Sequence, residues 1–234
     1  MQEVDQVVDH LFRHRAGQMV STLTRIFGPE HLPLAEEVVQ ESLITALTQW
    51  SFHGIPDNPA GWLFRVARNK ALDQIRRQAT FREKVAEELR RLPTEETPTH
   101  SEFEDDLLTM MLMCCHPSIP EESRIALTLK TVGGFSVEEI ARAFLSQKAT
   151  IAQRLVRAKK LIREESIPME MPSRDALPER LESLLKVIYL MFNEGHSAHE
   201  GDALSAQPAL GIPRCFQFRE APQGGRIFLR RRHY

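Results

Sequence analysis

An all-α chain of two small helical domains joined by a linker, the second a helix-turn-helix, is predicted by three observations. Apolar residues recur at helical spacing over most of the chain. Alternating strand-like runs and Asn-Gly or Asp-Gly turns are scarce. Polar segments rich in proline split the helices into two groups, at 93–100 and again past Ser166, where prolines stand at 168, 172 and 178. At 234 residues with 42% hydrophobic content, the chain can bury one or two modest cores.

The first helix is expected from about Val4 to about Phe27, with Val7, Val8, Leu11, Phe12, Met19, Leu23 and Ile26 on its core side and Gly28-Pro29 ending it. A second runs from about Leu34 to about Trp50. After the loop 51–58, a third starts near Pro59, a residue suited to a first helical turn, and continues to about Arg82. The second group is expected at 103–115, 120–132, 136–144 and 147–165, with Gly133-Gly134 closing one helix and turning the chain. One more helix is expected at 178–193. Beyond about Gly201 the period is lost, and Pro208, Pro213, Pro222 and Gly224-Gly225 argue against a folded unit over 203–234.

The stretch 136–165 carries the strongest functional signal. Ser136 and Glu139 have the spacing of a capping box, and Val137, Ile140, Ala141 and Phe144 share one face. Ser146 offers a second cap, and Ile151, Leu155, Ala158 and Ile162 form the buried stripe of the next helix. Its other side carries Lys148, Thr150, Gln153, Arg154, Arg157 and Lys160. Between Ser146 and Arg163 lie six basic residues and no acidic one, as a helix approaching phosphates requires.

Charge is segregated although the net value is only −2. Residues 61–84 hold seven basic side chains against two acidic ones, whereas 93–122 hold eight acidic ones and no Lys or Arg. Two basic segments flanking an acidic one suit contact with DNA at two places.

Helix AEEVVQESLITALTQW, then helix NPAGWLFRVARNKALDQIRR, a linker, and a helix-turn-helix ending AQRLVRAKKLIRE resemble, in order and spacing, the bacterial extracytoplasmic-function sigma factors over about residues 5–165. The resemblance implies a promoter-recognition subunit, with RNA polymerase core and promoter DNA as partners and an anti-sigma factor as a further candidate, and no cofactor or metal. It assigns 1–84 to polymerase binding and the minus-ten element, 85–102 to an acidic linker, and 103–166 to the minus-thirty-five element. Residues 167–202 resemble the start of the tetratricopeptide-like extension of one subgroup, and 203–234 depart from it.

Residue by residue, the polymerase contact falls on Glu36, Glu37, Gln40 and Glu41, an acidic edge beside Val38, Val39, Leu43, Ala46 and Leu47. On the third helix Trp62, Leu63, Val66, Ala67, Ala71, Leu72 and Ile75 read as core, and Arg65, Arg68, Asn69, Arg76 and Arg77 as the DNA side. Opening a duplex costs about 1.4 kcal/mol of stacking per step, so the separated strand needs cations and pockets for unstacked bases, and loop 51–58 is placed to build one. In the helix-turn-helix, Lys148, Arg157 and Lys160 would hold phosphates while Thr150, Gln153 and Arg154 reach base edges.

Other constellations carry less. Cys114-Cys115-His116 lacks the separated ligand pairs of a structural zinc site and reads as helix packing. Glu194 and His196 have no partner motif, so the chain is read as no enzyme. With no signal peptide, no apolar run near the roughly 20 residues of a membrane span and three cysteines without a disulfide framework, a cytoplasmic protein without membrane contact is expected. Two rival readings remain: a helix-turn-helix regulator acting without polymerase, and a sensory or interaction module built on the C-terminal helices.

Overall fold

A computed structural model describes residues 2–79 and 100–197, all of whose long elements are helices. Helix α1 spans Gln2–Phe27, α2 Leu32–His53 and α3 Pro59–Ala79. They are followed by α4 at His100–Cys114, α5 at Glu121–Thr131, α6 at Val137–Ala143, α7 at Lys148–Glu164 and α8 at Leu177–Ser197. The expected helices are all present, with ends displaced by a few residues. One boundary moves: α4 starts at His100, inside the segment read as linker, where Glu102 favours the positive end of the helix dipole. The prediction for 203–234 falls outside the described residues.

In the first unit, α1 ends at Gly28, whose φ of 99° lets the chain leave the helix into a single 3-10 turn at Pro29–His31. Leu32, Ala35, Val38, Val39, Leu43, Ala46 and Trp50 recur at three- and four-residue steps and are buried against α1 and α3. Asn58 starts α3, its Oδ1 accepting the Gly61 amide at 2.9 Å. Trp62 packs its edge on Trp50 with ring centres 5.3 Å apart, which fixes the loop between them.

The second unit is built on its caps. Ser136 Oγ accepts the Glu139 amide at 3.2 Å while Glu139 Oε2 accepts the Ser136 amide at 2.7 Å, so the capping box is formed. Ser146 does not cap α7. Gln147 holds that position without a side-chain bond, and Ser146 belongs instead to the Schellman closure of α6, its amide bonded to the Ala141 carbonyl at 2.9 Å. That closure puts Leu145 in the left-handed region, at φ 47°, with 97% of its surface exposed. The four stripe residues Ile151, Leu155, Ala158 and Ile162 are all buried. Cys114 and Cys115 are buried too, and burial pushes the Cys115 thiol up to about 11, so the pair packs as the apolar context predicts.

Helix α8 is part of this unit. Leu184 and Val187 are buried, Leu184 in a cluster with Leu107, Met111, Leu112 and Cys115. Arg124 reaches the carbonyls of Ile119 and Pro117 at 2.5 and 2.7 Å and Ser183 Oγ at 3.1 Å, and Lys186 pairs with Glu121 at 2.5 Å.

The two units share one continuous buried cluster. Helix α1 lies along α4, and Arg25 pairs with Asp106 at 2.6 Å. Phe64 meets Phe103 edge-on at 5.5 Å. Gly17 comes so near the end of α5 that an added Cβ would stand 2.5 Å from the Val132 carbonyl oxygen.

A left-handed Leu is strained by about 1 kcal/mol. Leu145→Gly is therefore expected to raise the melting temperature by about 2–4 °C, measured by thermal denaturation followed by circular dichroism.

Candidate polymerase and nucleic-acid interfaces

The acidic edge of α2 is not uniform. Glu37 and Gln40 are exposed, as expected. Glu36 is not: its carboxylate accepts the Thr131 hydroxyl at 2.8 Å and the ammonium of Lys159, with 15% of its side chain exposed. This corrects the reading of an open four-residue edge, because the second unit reaches the N-terminal end of α2. Glu41 pairs with Lys70 of α3 at 2.9 Å. Leu47, one of the apolar residues beside the acidic edge, is 37% exposed, and Ile44 is 63% exposed. Glu37, Gln40, Ile44 and Leu47 follow one another at steps of three and four residues, an outward ridge of acid, amide and two aliphatic side chains. Ile44 escaped the sequence reading, although its spacing from Gln40 was visible.

On α3, Arg65, Asn69, Arg76 and Arg77 are exposed, and Trp62 is partly buried beside the core as predicted. Arg68 departs from expectation. It is 8% exposed, so it is no free donor to a strand passing over the helix, since a guanidinium that far from water is held by its own surroundings. Helix α2 continues to His53, shortening the loop to 54–58, and Gly54 ends it at φ 83°. Phe52, just before that end, is 83% exposed. An aromatic ring held in solvent beside a basic helix is a stacking surface for an unpaired base.

The exposed side of α7 carries Gln153, Arg157 and Lys160, with Thr150 partly covered. Three cations of the helix have acidic partners in the second unit: Lys148 pairs with Glu138, Arg154 with Glu122 of α5, and Lys160 with Glu164 at 3.5 Å. Exposed pairs of this kind are worth about 0–1 kcal/mol and exchange readily for phosphate. Arg154 is the least open of the three, with 26% of its side chain exposed. Val156 stands among these polar residues at 68% exposure. The sequence reading passed over it, and an exposed aliphatic group is of the kind that can meet a thymine methyl.

No helix among the described residues is long and apolar enough to cross a membrane, and these residues contain no group of three or more His, Cys, Asp and Glu that could hold a metal ion. The side chains of Glu194 and His196 lie outside the described residues.

Comparison with known proteins places both units. Residues 11–81 match Sigma-70 region 2, and residues 109–162 match Sigma-70, region 4. An uncharacterized protein of Rhizobium meliloti is 40% identical over 79% of this chain and 44% of its own length. The ECF RNA polymerase sigma factor SigE of Mycolicibacterium smegmatis is 29% identical over 67% of this chain and 60% of its own. SigL of Mycobacterium tuberculosis, also an ECF RNA polymerase sigma factor, is 33% identical over 56% of this chain and 75% of its own length. The chain thus spans less than two thirds of the first two relatives. Two region matches in the order of the two helical units, with a relative one-third identical over three quarters of its length, identify the chain as a member of the ECF RNA polymerase sigma factor family.

Proposed function

We propose that this chain binds core RNA polymerase and directs it to start transcription at particular promoters, without catalytic residues of its own. The observation that carries this reading is the pairing, in one protein, of an exposed acidic and aliphatic ridge on α2 with a helix-turn-helix whose basic helix presents Gln153, Val156, Arg157 and Lys160 outward. A regulator acting without polymerase has no use for the first unit. Residues 1–84 serve polymerase and the minus-ten element, and 103–166 the minus-thirty-five element. Glu37 and Gln40 meet a basic surface of the polymerase, with Ile44 and Leu47 supplying the apolar centre that such contacts need. Arg65, Asn69, Arg76 and Arg77 follow the separated strand, and Phe52 stacks on an unpaired base.

In the helix-turn-helix, Lys148, Arg157 and Lys160 hold phosphates while Thr150, Gln153 and Arg154 face base edges, Arg154 after leaving Glu122. Such a protein works in the cytoplasm with the polymerase, and an anti-sigma factor is a natural further partner. The packing of α8 on α4 and α5 supports a bracing role for the start of the C-terminal segment, and counts against a separate sensory module.

Charge reversal at an interface costs several kcal/mol. Glu37→Lys is expected to weaken binding to core polymerase at least tenfold with melting temperature and helical content unchanged. Undiminished binding, measured by fluorescence anisotropy, would remove α2 from the contact.

Lys160→Ala is expected to weaken binding to all promoter sequences about equally and to lower the salt slope by about one unit. Arg154→Ala should instead relax preference at one or two positions, by about 1–3 kcal/mol there. A promoter library in run-off transcription reads both, and a uniform loss for Arg154→Ala would show that it reads no base.

A further inference from the structure

We propose that His10 and His14 form a binding site for a divalent ion of the copper or nickel class, held by the two imidazoles and completed by water. The two residues stand four apart on α1, so their side chains lie one above the other on a single face of the helix. His10 is exposed and His14 partly so. Their ring centres are 4.4 Å apart, with the planes tilted by 46°.

That separation is the one a shared ion asks for. A metal about 2.0–2.1 Å from one nitrogen of each ring stands about 3.2 Å from each ring centre, so two imidazoles at right angles around it have centres about 4.5 Å apart. A right angle between neighbouring nitrogens belongs to square-planar and tetragonal coordination, the geometry of Cu2+ and Ni2+, and Cu2+ is the more tightly held of the two. Two side chains do not make the closed four-ligand set of a structural zinc site. They make an open one.

The rings are also available. His53 meets the Gln49 carbonyl at 3.1 Å, His116 Nδ1 accepts the Ser118 amide at 3.2 Å, and His31 lies beside Glu30. Among the described residues, neither His10 nor His14 is hydrogen-bonded to another group. Metal binds the neutral imidazole, and His14 is held below its ordinary pKa by burial first, then by the charges of His10, Arg13 and Arg15, against an opposite pull from Asp9. Of the flanking cations, Arg13 is paired with Asp9 at 2.9 Å and Arg15 donates to Gln18 Oε1 at 3.0 Å.

An ion shared between residues four apart closes the helical turn that separates them. It therefore stabilises the first half of α1, whose buried residues are Val4, Val8 and Leu11. Neither the outward ridge of α2 nor the basic helix α7 takes part, so the site stands apart from the polymerase and DNA assignments.

The test titrates the full chain, in a Cys215→Ser background, with copper(II) iminodiacetate, a chelate that leaves copper two adjacent positions to fill. The wild-type chain should bind it with an electron paramagnetic resonance signal of added nitrogen ligands, and His10→Gln and His14→Gln should each bind one equivalent fewer. At about ten times its dissociation constant the chelate should raise the wild-type melting temperature by about 3–6 °C, and by less than half as much in either variant. His14→Gln combined with Arg15→His keeps the number of histidines but turns the second ring off the face, and should not restore the lost equivalent. Equal uptake by the wild-type chain and the single variants would overturn the site. So would full uptake by the combined variant, or uptake by the wild-type chain with no rise in melting temperature.

Discussion

Everything in this structure depends on α1 being buried from two sides at once. From Ala16 to Thr24 every residue except Gly17 is buried, a coverage no single amphipathic stripe can have. One side of the helix packs on α2 and α3, the other on α4. Helix α1 is thus the common core element of both units, and the absence of a side chain at Gly17 lets the end of α5 come close enough to complete the second side.

That double burial explains what was readable from the amino-acid sequence and what was not. The helices, the capping box at Ser136 and Glu139, and the stripe Ile151, Leu155, Ala158 and Ile162 follow from local chemistry and periodicity, and all were legible. The seam was not, because α1 meets it partly with small hydroxyl residues that read as polar. Ser21 and Thr24 turn their hydroxyls back onto the carbonyls of Gly17 and Val20, each at 2.8 Å, so what they offer to neighbours is a small, mostly apolar surface. A polar letter in the sequence became a packing residue in the fold.

The same limit applies to the candidate interfaces. Glu36 and Arg68 were assigned by helical position, and position alone does not reveal a cation arriving from a helix more than a hundred residues later, or the burial of a guanidinium. Glu37, Gln40, Arg65, Asn69, Arg157 and Lys160 are exposed, as their helical positions imply. Ile44, Phe52 and Val156 were missed for the opposite reason. Apolar side chains are assigned to cores by habit, and these three are left outside one.

The shared use of α1 also bears on how the chain is made. During synthesis α1 emerges before the helices that cover it, yet its second side has no partner until α4 has been added, which at about 5–20 residues per second takes on the order of ten seconds. Through that interval Met19, Val20 and Leu23 have only α2 and α3 to shield them. The newly made first unit is consequently the stage at which this protein is most exposed to aggregation and most in need of a chaperone.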